Sequence, residues 1–244
     1  MSSIRSIDIV DIARSLGDAP FQATPSSVAD WLLSEYGGRK GGGFNYDPAI
    51  NTICDAFRGK HSLESAVRHC QTHGNPKGRK QNVEAIRTLM PYILENTSLC
   101  YRIGLTAIAI GRYDGKTVYA KIKAPLLRVR GGKAFIVMPG LRLSYIPSEI
   151  AIDFACSVAL SIFAQDDHEG ADFEYLYAGP ALGSARDFRA IHGRDRFRFT
   201  GDAIDRLLDI YVKGVALAEA RGADTKSPIL NGYRIIDPQA PRFF

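Results

Sequence analysis

Residues 101–140 read YRIGLTAIAIGRYDGKTVYAKIKAPLLRVRGGKAFIVMPG, and this stretch decides the fold class. Runs rich in β-branched residues are separated by two glycine-containing turns. Asp114-Gly115 lies between two such runs, which is a strong hairpin signal because a type I′ turn needs positive φ at both central residues. Gly131-Gly132 supplies a second tight turn, and Pro139-Gly140 closes the last run. The pattern therefore predicts three strands in an antiparallel meander.

The middle strand of this meander, residues 117–130, carries a basic pattern. Lys121 and Lys123 share one side of the strand before Pro125, and the alternation reverses after the proline. Because proline cannot donate to a ladder, one bulge near Pro125 would bring four cations to one face. At about 3.3 Å per residue, that face would extend over roughly 30 Å. The four cations are Lys121, Lys123, Arg128 and Arg130.

The rest of the chain predicts an α+β protein: a helical N-terminal bundle followed by a mainly antiparallel β-sheet packed against two long helices. Residues 1–98 carry helical spacing and helix-start signals such as Thr24-Pro25 and Ser62. Residues 99–244 hold the meander and the two long helices, residues 147–164 and 202–221. We therefore expect a helical bundle with basic loops over 1–98 and an α+β domain over 99–244.

Composition points to a globular protein with a modest positive charge. Lys and Arg number 31 against 26 Asp and Glu, so the formal charge is +5 and its distribution matters more than its total. The four cysteines form no C-x-x-C pair, which indicates buried thiols in a reducing compartment. The most apolar run, residues 150–164, is too short to span a bilayer, and no secretory signal is visible. The sequence therefore predicts a cytoplasmic protein without a membrane partner.

Two glycine-containing basic loops, residues 37–43 and 75–82, precede helix starts. Backbone N–H groups and the helix dipole favour anions at such positions. Neither loop matches the G-x-x-x-x-G-K-[ST] pattern, so contact with a nucleic-acid phosphate backbone is the better functional interpretation, and flexible surface loops are the alternative. The predicted contact residues are Arg39, Lys40, Lys77, Arg79 and Lys80.

A second basic pattern lies in residues 185–199. Arg194, Arg196 and Arg198 alternate with other residues, so on a strand all three would share one face. Arginine is well suited to bidentate recognition of phosphate. The alternative is pairing of these arginines with the acidic segment 166–174 of the same chain.

That acidic segment is the one candidate for a divalent-metal site. Carboxylates and one imidazole are suitable ligands for Mg²⁺ or Mn²⁺. Nucleases with a restriction-endonuclease-like core carry a Glu-x-Lys pair on the second strand, and this segment lacks it because Glu174 is followed by Tyr175 and Leu176. The alternative is an acidic loop that is simply solvated, as is common after helices. The candidate ligands are Asp166, Asp167, His168, Asp172 and Glu174.

Three functions remain open at this level. The first is a nucleic-acid-binding protein that contacts the phosphate backbone and has no cofactor and no chemistry of its own. The second is a nuclease or phosphoesterase that uses Mg²⁺ or Mn²⁺, with Asp172 and Glu174 as catalytic carboxylates. The third is an interaction subunit that docks an acidic protein partner or forms a homo-oligomer. The basic patterns favour the first.

Overall fold

The computed structural model describes residues 3–37, 45–165, 168–181, 186–224 and 226–238. Within them, one short strand and a run of five helices are followed by a run of five strands and then by a mixed segment. The helices are α1 (Ile9–Ser15), α2 (Pro25–Tyr36), α3 (Asp47–Phe57), α4 (Leu63–Thr72), α5 (Arg79–Glu95), α6 (Glu149–Phe163) and α7 (Gly201–Ala220). The strands are β1 (Ser6–Asp8), β2 (Leu99–Arg102), β3 (Leu105–Tyr113), β4 (Lys116–Ile122), β5 (Leu126–Arg130), β6 (Lys133–Gly140), β7 (Asp172–Tyr177), β8 (Arg189–His192) and β9 (Tyr233–Ile236). The predicted α+β class is confirmed.

The strands form two mixed sheets. The first has the order β1-β4-β3-β9 and the second has the order β2-β5-β6-β7-β8. Pairs that are adjacent in sequence through a tight turn are antiparallel, whereas β1 with β4, β3 with β9 and β6 with β7 are parallel. The parallel β6–β7 pair is connected through α6, as a parallel pair requires a long crossover.

Both predicted hairpin turns are present. Tyr113 pairs with Lys116, and the two residues between them, Asp114 and Gly115, have φ values of 45° and 72°. Gly131 and Gly132 connect β5 to β6 with φ values of 56° and 78°. A two-residue hairpin turn of this type needs positive φ at both central positions, and Asp-Gly and Gly-Gly pairs adopt it with little backbone strain.

The prediction of one strand over residues 117–130 is wrong. β4 ends at Ile122 and β5 begins at Leu126, and the two strands belong to different sheets. Pro125 lies in the gap, where it has no N–H to donate and its carbonyl accepts a hydrogen bond from the Ile103 N–H at 2.8 Å. The proline therefore sends the chain from one sheet to the other instead of making a bulge within one strand.

Two hydrophobic cores hold the sheets and helices together. The first contains α1, α2, α6 and α7 with the first sheet and one face of the second sheet. The other contains α3, α4 and α5 packed on the opposite face of the second sheet. Alternation along β6 shows the division, since Ile136 and Met138 enter the first core and Val137 enters the other. The helical N-terminal third is thus shared between the cores, and the division at residue 98 stays a prediction.

Capping residues fix the helix starts that the sequence indicated. Thr24 accepts a hydrogen bond from the Ser27 N–H with Pro25 in the first turn, Ser62 does the same for Ser65, and Thr200 caps α7. Gly214 of α7 faces Val28 of α2 so closely that a Cβ there would lie 2.5 Å from the valine Cγ1. Within the described residues, no helix has the length and apolar character needed to cross a membrane.

Candidate nucleic-acid interface

A cleft of about 1040 Å³ opens between the two sheets, close to the point where Pro125 separates them. It brings together the start of α1, the start of α3, the β2–β3 connection, the end of β4, the segment after β6, strand β7 and the start of β9. The charged and aromatic side chains in its walls are Arg102, Lys123, Arg142, Asp8, Asp47, Tyr46, Tyr145, Tyr175, Tyr177 and Tyr233.

Of the four cations predicted to share one face, Lys123 lines this cleft and Lys121 lies near one of its tyrosines. The Lys123 Nζ is 3.5 Å from the Oδ2 of Asp8. Lys121, two residues earlier on the same side of β4, places its Nζ 5.3 Å from the ring centroid of Tyr233. The pKa of Lys121 is lowered mainly by burial and further by the neighbouring charge of Lys123. The charge of Asp8 acts in the opposite direction but is the smaller effect. An anion bound between the two ammonium groups would relieve their repulsion.

The segment after β6 is anchored to α1 by ionic contacts. The Arg142 Nη1 lies 2.7 Å from Asp11 Oδ2, and the Tyr36 hydroxyl donates to the same oxygen at 2.9 Å. Burial alone would raise the pKa of Asp11, but the charge and hydrogen bond of Arg142 and the hydrogen bond of Tyr36 outweigh it, so that pKa is lowered. Asp11 is therefore a charged group in a buried site, and it holds this wall of the cleft in place.

Burial raises the pKa of four tyrosines of the cleft, namely Tyr145, Tyr175, Tyr177 and Tyr233. Burial, with the charge of Asp8 second, raises the pKa of Tyr233 to about 12. Burial followed by the charge of Asp11 raises the pKa of Tyr145, whose ring centroid lies 3.6 Å from the guanidinium carbon of Arg14. The rings of Tyr46, Tyr145 and Tyr233 are half-buried, so they present both a ring and a hydroxyl to the cleft.

The basic segment 75–82 reaches the other rim. Residues 76–78 form a short 3₁₀ helix, and Arg79 and Lys80 occupy the first turn of α5. Lys77 and Lys80 are exposed, whereas the Arg79 Nη2 donates to the Thr72 carbonyl at 3.1 Å. Gln81, the next residue of α5, lines the cleft. Arg39 and Lys40 of the other predicted loop lie outside the described residues.

Arg128 does not share an exposed face with Lys121 and Lys123, so the prediction that it is a nucleic-acid contact on that face is wrong. Its side chain is buried, with Nε 2.7 Å from Glu174 Oε2 and Nη2 2.6 Å from Glu174 Oε1. Burial alone would lower the pKa of Arg128, but the hydrogen bonds and charge of Glu174 raise it. Arg130, at the end of β5, is exposed and donates to the side-chain oxygen of Asn96. The two arginines lie in the second sheet, away from Lys121 and Lys123 of the first.

The predicted strand of arginines over 194–198 is also wrong. Residues 193–195 form a 3₁₀ turn after β8, because the chain leaves the sheet at His192. Arg196 is held by Asp153 at 2.6 Å and by Glu149 at 2.7 Å. Arg194 donates from Nε to the Ala171 carbonyl at 2.8 Å, and Arg198 is exposed. The three side chains therefore point to different partners instead of forming one row.

The carboxylates of the alternative metal site are engaged by basic groups. Asp172 and Glu174 lie on β7 as predicted, and both are buried. Lys133 Nζ lies 3.2 Å from Asp172 Oδ2, and both oxygens of Glu174 bond to Arg128, so a cation there would have to displace these partners. His168 is exposed, and Asp166 and Asp167 lie outside the described residues. Across the described part of the chain, no group of three or more His, Cys, Asp or Glu side chains is placed to hold a metal ion.

Sequence reasoning missed most of the cleft. Arg102 ends β2 and Arg142 follows β6 by two residues, and Tyr145 and Tyr233 belong to a set of eleven tyrosines. No local motif marks any of these four residues. Their positions in the chain are too far apart for spacing to reveal one site.

Comparisons with known proteins add no function. No family model matches the chain, and no curated protein matches it. Among solved structures, it is similar to one described as "Crystal structure of SSO0001", at 11% identity over 81% of this chain and 86% of that chain, with a TM-score of 0.31. A similarity at that level supports no conclusion about this chain.

Proposed function

We propose that this chain binds nucleic acid and that a single-stranded segment enters the cleft between the two sheets. The observation that carries this proposal is the cleft itself, in which Arg102, Lys123 and Arg142 share the walls with three half-buried tyrosines, Tyr46, Tyr145 and Tyr233. Cationic side chains contact the phosphate backbone, and aromatic rings accept bases of any sequence. This combination favours nucleic acid over an acidic protein, which would not need the rings.

The size of the cleft supports a single strand. Its volume of about 1040 Å³ is at the upper end of pockets for small molecules, which run from roughly 300 to 1,000 Å³. A space of that size accepts a short segment of one strand and excludes a duplex. We therefore propose that the protein prefers unpaired nucleic acid.

The surrounding charges extend the proposed path. Lys121 lies near the end of β4, two residues before Lys123, while Lys77 lies just before α5 and Lys80 in its first turn, next to the cleft residue Gln81. Cations near a helix N-terminus are repelled by the positive end of the helix dipole. A bound phosphate would therefore stabilise both the lysines and the helix N-terminus. Binding through such groups is independent of sequence and weakens with salt. We propose no chemistry for the protein itself.

A binding titration tests the proposal. Labelled single-stranded DNA, single-stranded RNA and duplex DNA are titrated with the protein at two salt concentrations, with fluorescence anisotropy as the measurement. We expect both single strands to bind more tightly than the duplex, and we expect affinity to fall as salt rises. Absence of binding at low salt would refute the proposal, and capture of an acidic protein instead would favour the interaction-subunit alternative.

A further inference from the structure

Two exposed phenylalanine rings, Phe21 and Phe197, each contact the same buried ring, away from the walls of the cleft. Phe197 is 60% exposed and Phe21 is 52% exposed. Their ring centroids lie 5.2 Å and 5.7 Å from that of Phe199, which is buried and packs edge-on against Phe154. Exposed apolar clusters of this kind mark interaction sites in soluble proteins.

The backbone around Phe197 is fixed, so its ring is held outward. The Phe199 N–H donates to the Ser157 hydroxyl at 3.1 Å, and that hydroxyl donates to the Asp153 carbonyl at 2.8 Å and lies 3.3 Å from the Phe197 carbonyl. Arg196, the preceding residue, is held by its ion pairs to Asp153 and Glu149. Phe21 lies within a short 3₁₀ helix, residues 20–22. A ring that is already ordered loses little conformational freedom when a ligand stacks on it.

Two further arginines, Arg194 and Arg198, lie within three residues of Phe197 in the sequence. The charge of the third arginine of this segment, Arg196, is offset by Asp153 and Glu149. Arg194 donates to the carbonyls of Ala171 and Glu169, which leave its charge unneutralised, and Arg198 is exposed. Neither Arg194 nor Arg198 makes an ion pair with a carboxylate of the described residues. An anionic ligand with flat apolar faces complements this surface.

We infer that Phe21 and Phe197 are a stacking platform for unpaired bases, with Arg194 and Arg198 contacting the phosphates beside them. The inference rests on the proposed function and adds a second set of base contacts to those that the cleft tyrosines offer. Stacking on an aromatic ring is tolerant of base identity because every base has a π face. The platform predicts selectivity for base-bearing strands without sequence preference.

The test compares two single-stranded oligonucleotides of equal length, one with bases and one with an abasic backbone. We expect the protein to bind the base-bearing strand about tenfold more tightly, the order that one or two stacked bases contribute. Phe197→Ala and Phe21→Ala should each reduce that preference and leave the affinity for the abasic strand unchanged. Phe197→Trp should retain the preference.

Leu94→Ala is the matched control, because Leu94 is also an exposed apolar side chain, 43% exposed, on a different element. It should leave both affinities unchanged. Equal affinity of the unaltered protein for the two strands, or a full preference in Phe197→Ala, would overturn the platform while leaving backbone binding in the cleft intact. If neither strand binds, the proposed function and the platform fail together. Thermal melting confirms that each variant folds.

Discussion

The guanidinium of Arg128 and the carboxylate of Glu174 form a bidentate ion pair that is buried between β5 and β7, with N–O distances of 2.7 and 2.6 Å. The Arg128 guanidinium carbon also lies 4.4 Å from the ring centroid of Phe135. The Tyr92 hydroxyl donates to Glu174 as well, whereas Nη1 of Arg128 is buried without a hydrogen-bond partner among the described residues. The pair is a structural element of the second sheet.

Removal of one member of this pair should destabilise the protein strongly. Glu174→Gln leaves a buried guanidinium without its counter-charge, and we expect the free energy of unfolding to fall by about 3–5 kcal/mol. Replacement of both, by Arg128→Met with Glu174→Leu, should cost much less because no buried charge is left unpaired. Urea denaturation measures both. Equal losses in the single and double variants would show that the pair does not have this role.

Asp209→Asn is the matched control for that experiment. Asp209 forms an exposed pair with Lys213 at 2.6 Å, four residues along α7. An exposed helical pair contributes only about 0.3–0.5 kcal/mol. The control should therefore unfold at nearly the same urea concentration as the unaltered protein.

Acid should weaken the anchor between α1 and the segment after β6. The pKa of Asp11 is lowered below its ordinary value of 3.8, so the carboxylate contributes stability above pH 3.8, and this contribution is lost as the pH falls through the folded-state value. Asp11→Asn should lower the free energy of unfolding by about 1.5–3 kcal/mol at pH 7, because hydrogen bonds to a charged group are lost. Unfolding measured from pH 7 to pH 2.5 should show this difference shrinking below pH 3.8. A difference that is constant with pH would contradict the assignment.

The cysteines should be unreactive in the folded protein. All four are free and buried, and burial raises the pKa of Cys156 to about 12 and also raises the pKa of Cys70. The thiolate is the nucleophile, so alkylation by iodoacetamide at pH 8 should be slow in the native state. Denatured protein should incorporate four equivalents, one for each cysteine. Rapid native labelling, followed by mass spectrometry, would identify a thiol that is more accessible than the structure shows.

Two glycines of the cleft should respond differently to alanine. A Cβ at Gly140 would lie 2.5 Å from Cζ of Tyr175, whose ring is buried, whereas a Cβ at Gly104 meets no atom within 4 Å. We expect Gly140→Ala to lower the free energy of unfolding by about 1–3 kcal/mol through overpacking, and Gly104→Ala to have little effect. Urea denaturation of the two variants in parallel measures the contrast. Equal stabilities would mean that Tyr175 has room to rearrange.

Local turn and cap chemistry predicted the elements well. Asp114-Gly115 and Gly131-Gly132 form both predicted hairpins, and Thr24 and Thr200 begin the helices that they indicated. These signals are local, because positive φ and capping hydrogen bonds depend on neighbouring residues only. The α+β class follows from the same signals.

Tertiary arrangement was beyond the reach of alternation along the chain. Pro125 was expected to cause a bulge within one strand, and it separates two sheets instead, so Arg128 becomes buried while Lys123 lines the cleft. A period of two residues tells which side chains share a face of a strand, but not which sheet the strand joins. The cleft combines positions as distant as Asp8 and Tyr233, so only the folded chain reveals it.

The most direct test of nucleic-acid binding at the cleft is the salt dependence of binding after Lys121 and Lys123 are neutralised together. For a single strand, each phosphate contact contributes about 0.7 to the slope of log affinity against log salt. We predict that Lys121→Gln with Lys123→Gln weakens binding of a single-stranded oligonucleotide and reduces that slope by about 1.4. The control, Lys60→Gln with Lys213→Gln, removes two exposed lysines that pair with Asp55 and Asp209 outside the cleft, and it should keep the slope of the unaltered protein. An unchanged slope in the Lys121 and Lys123 variant would contradict the proposed path of the strand.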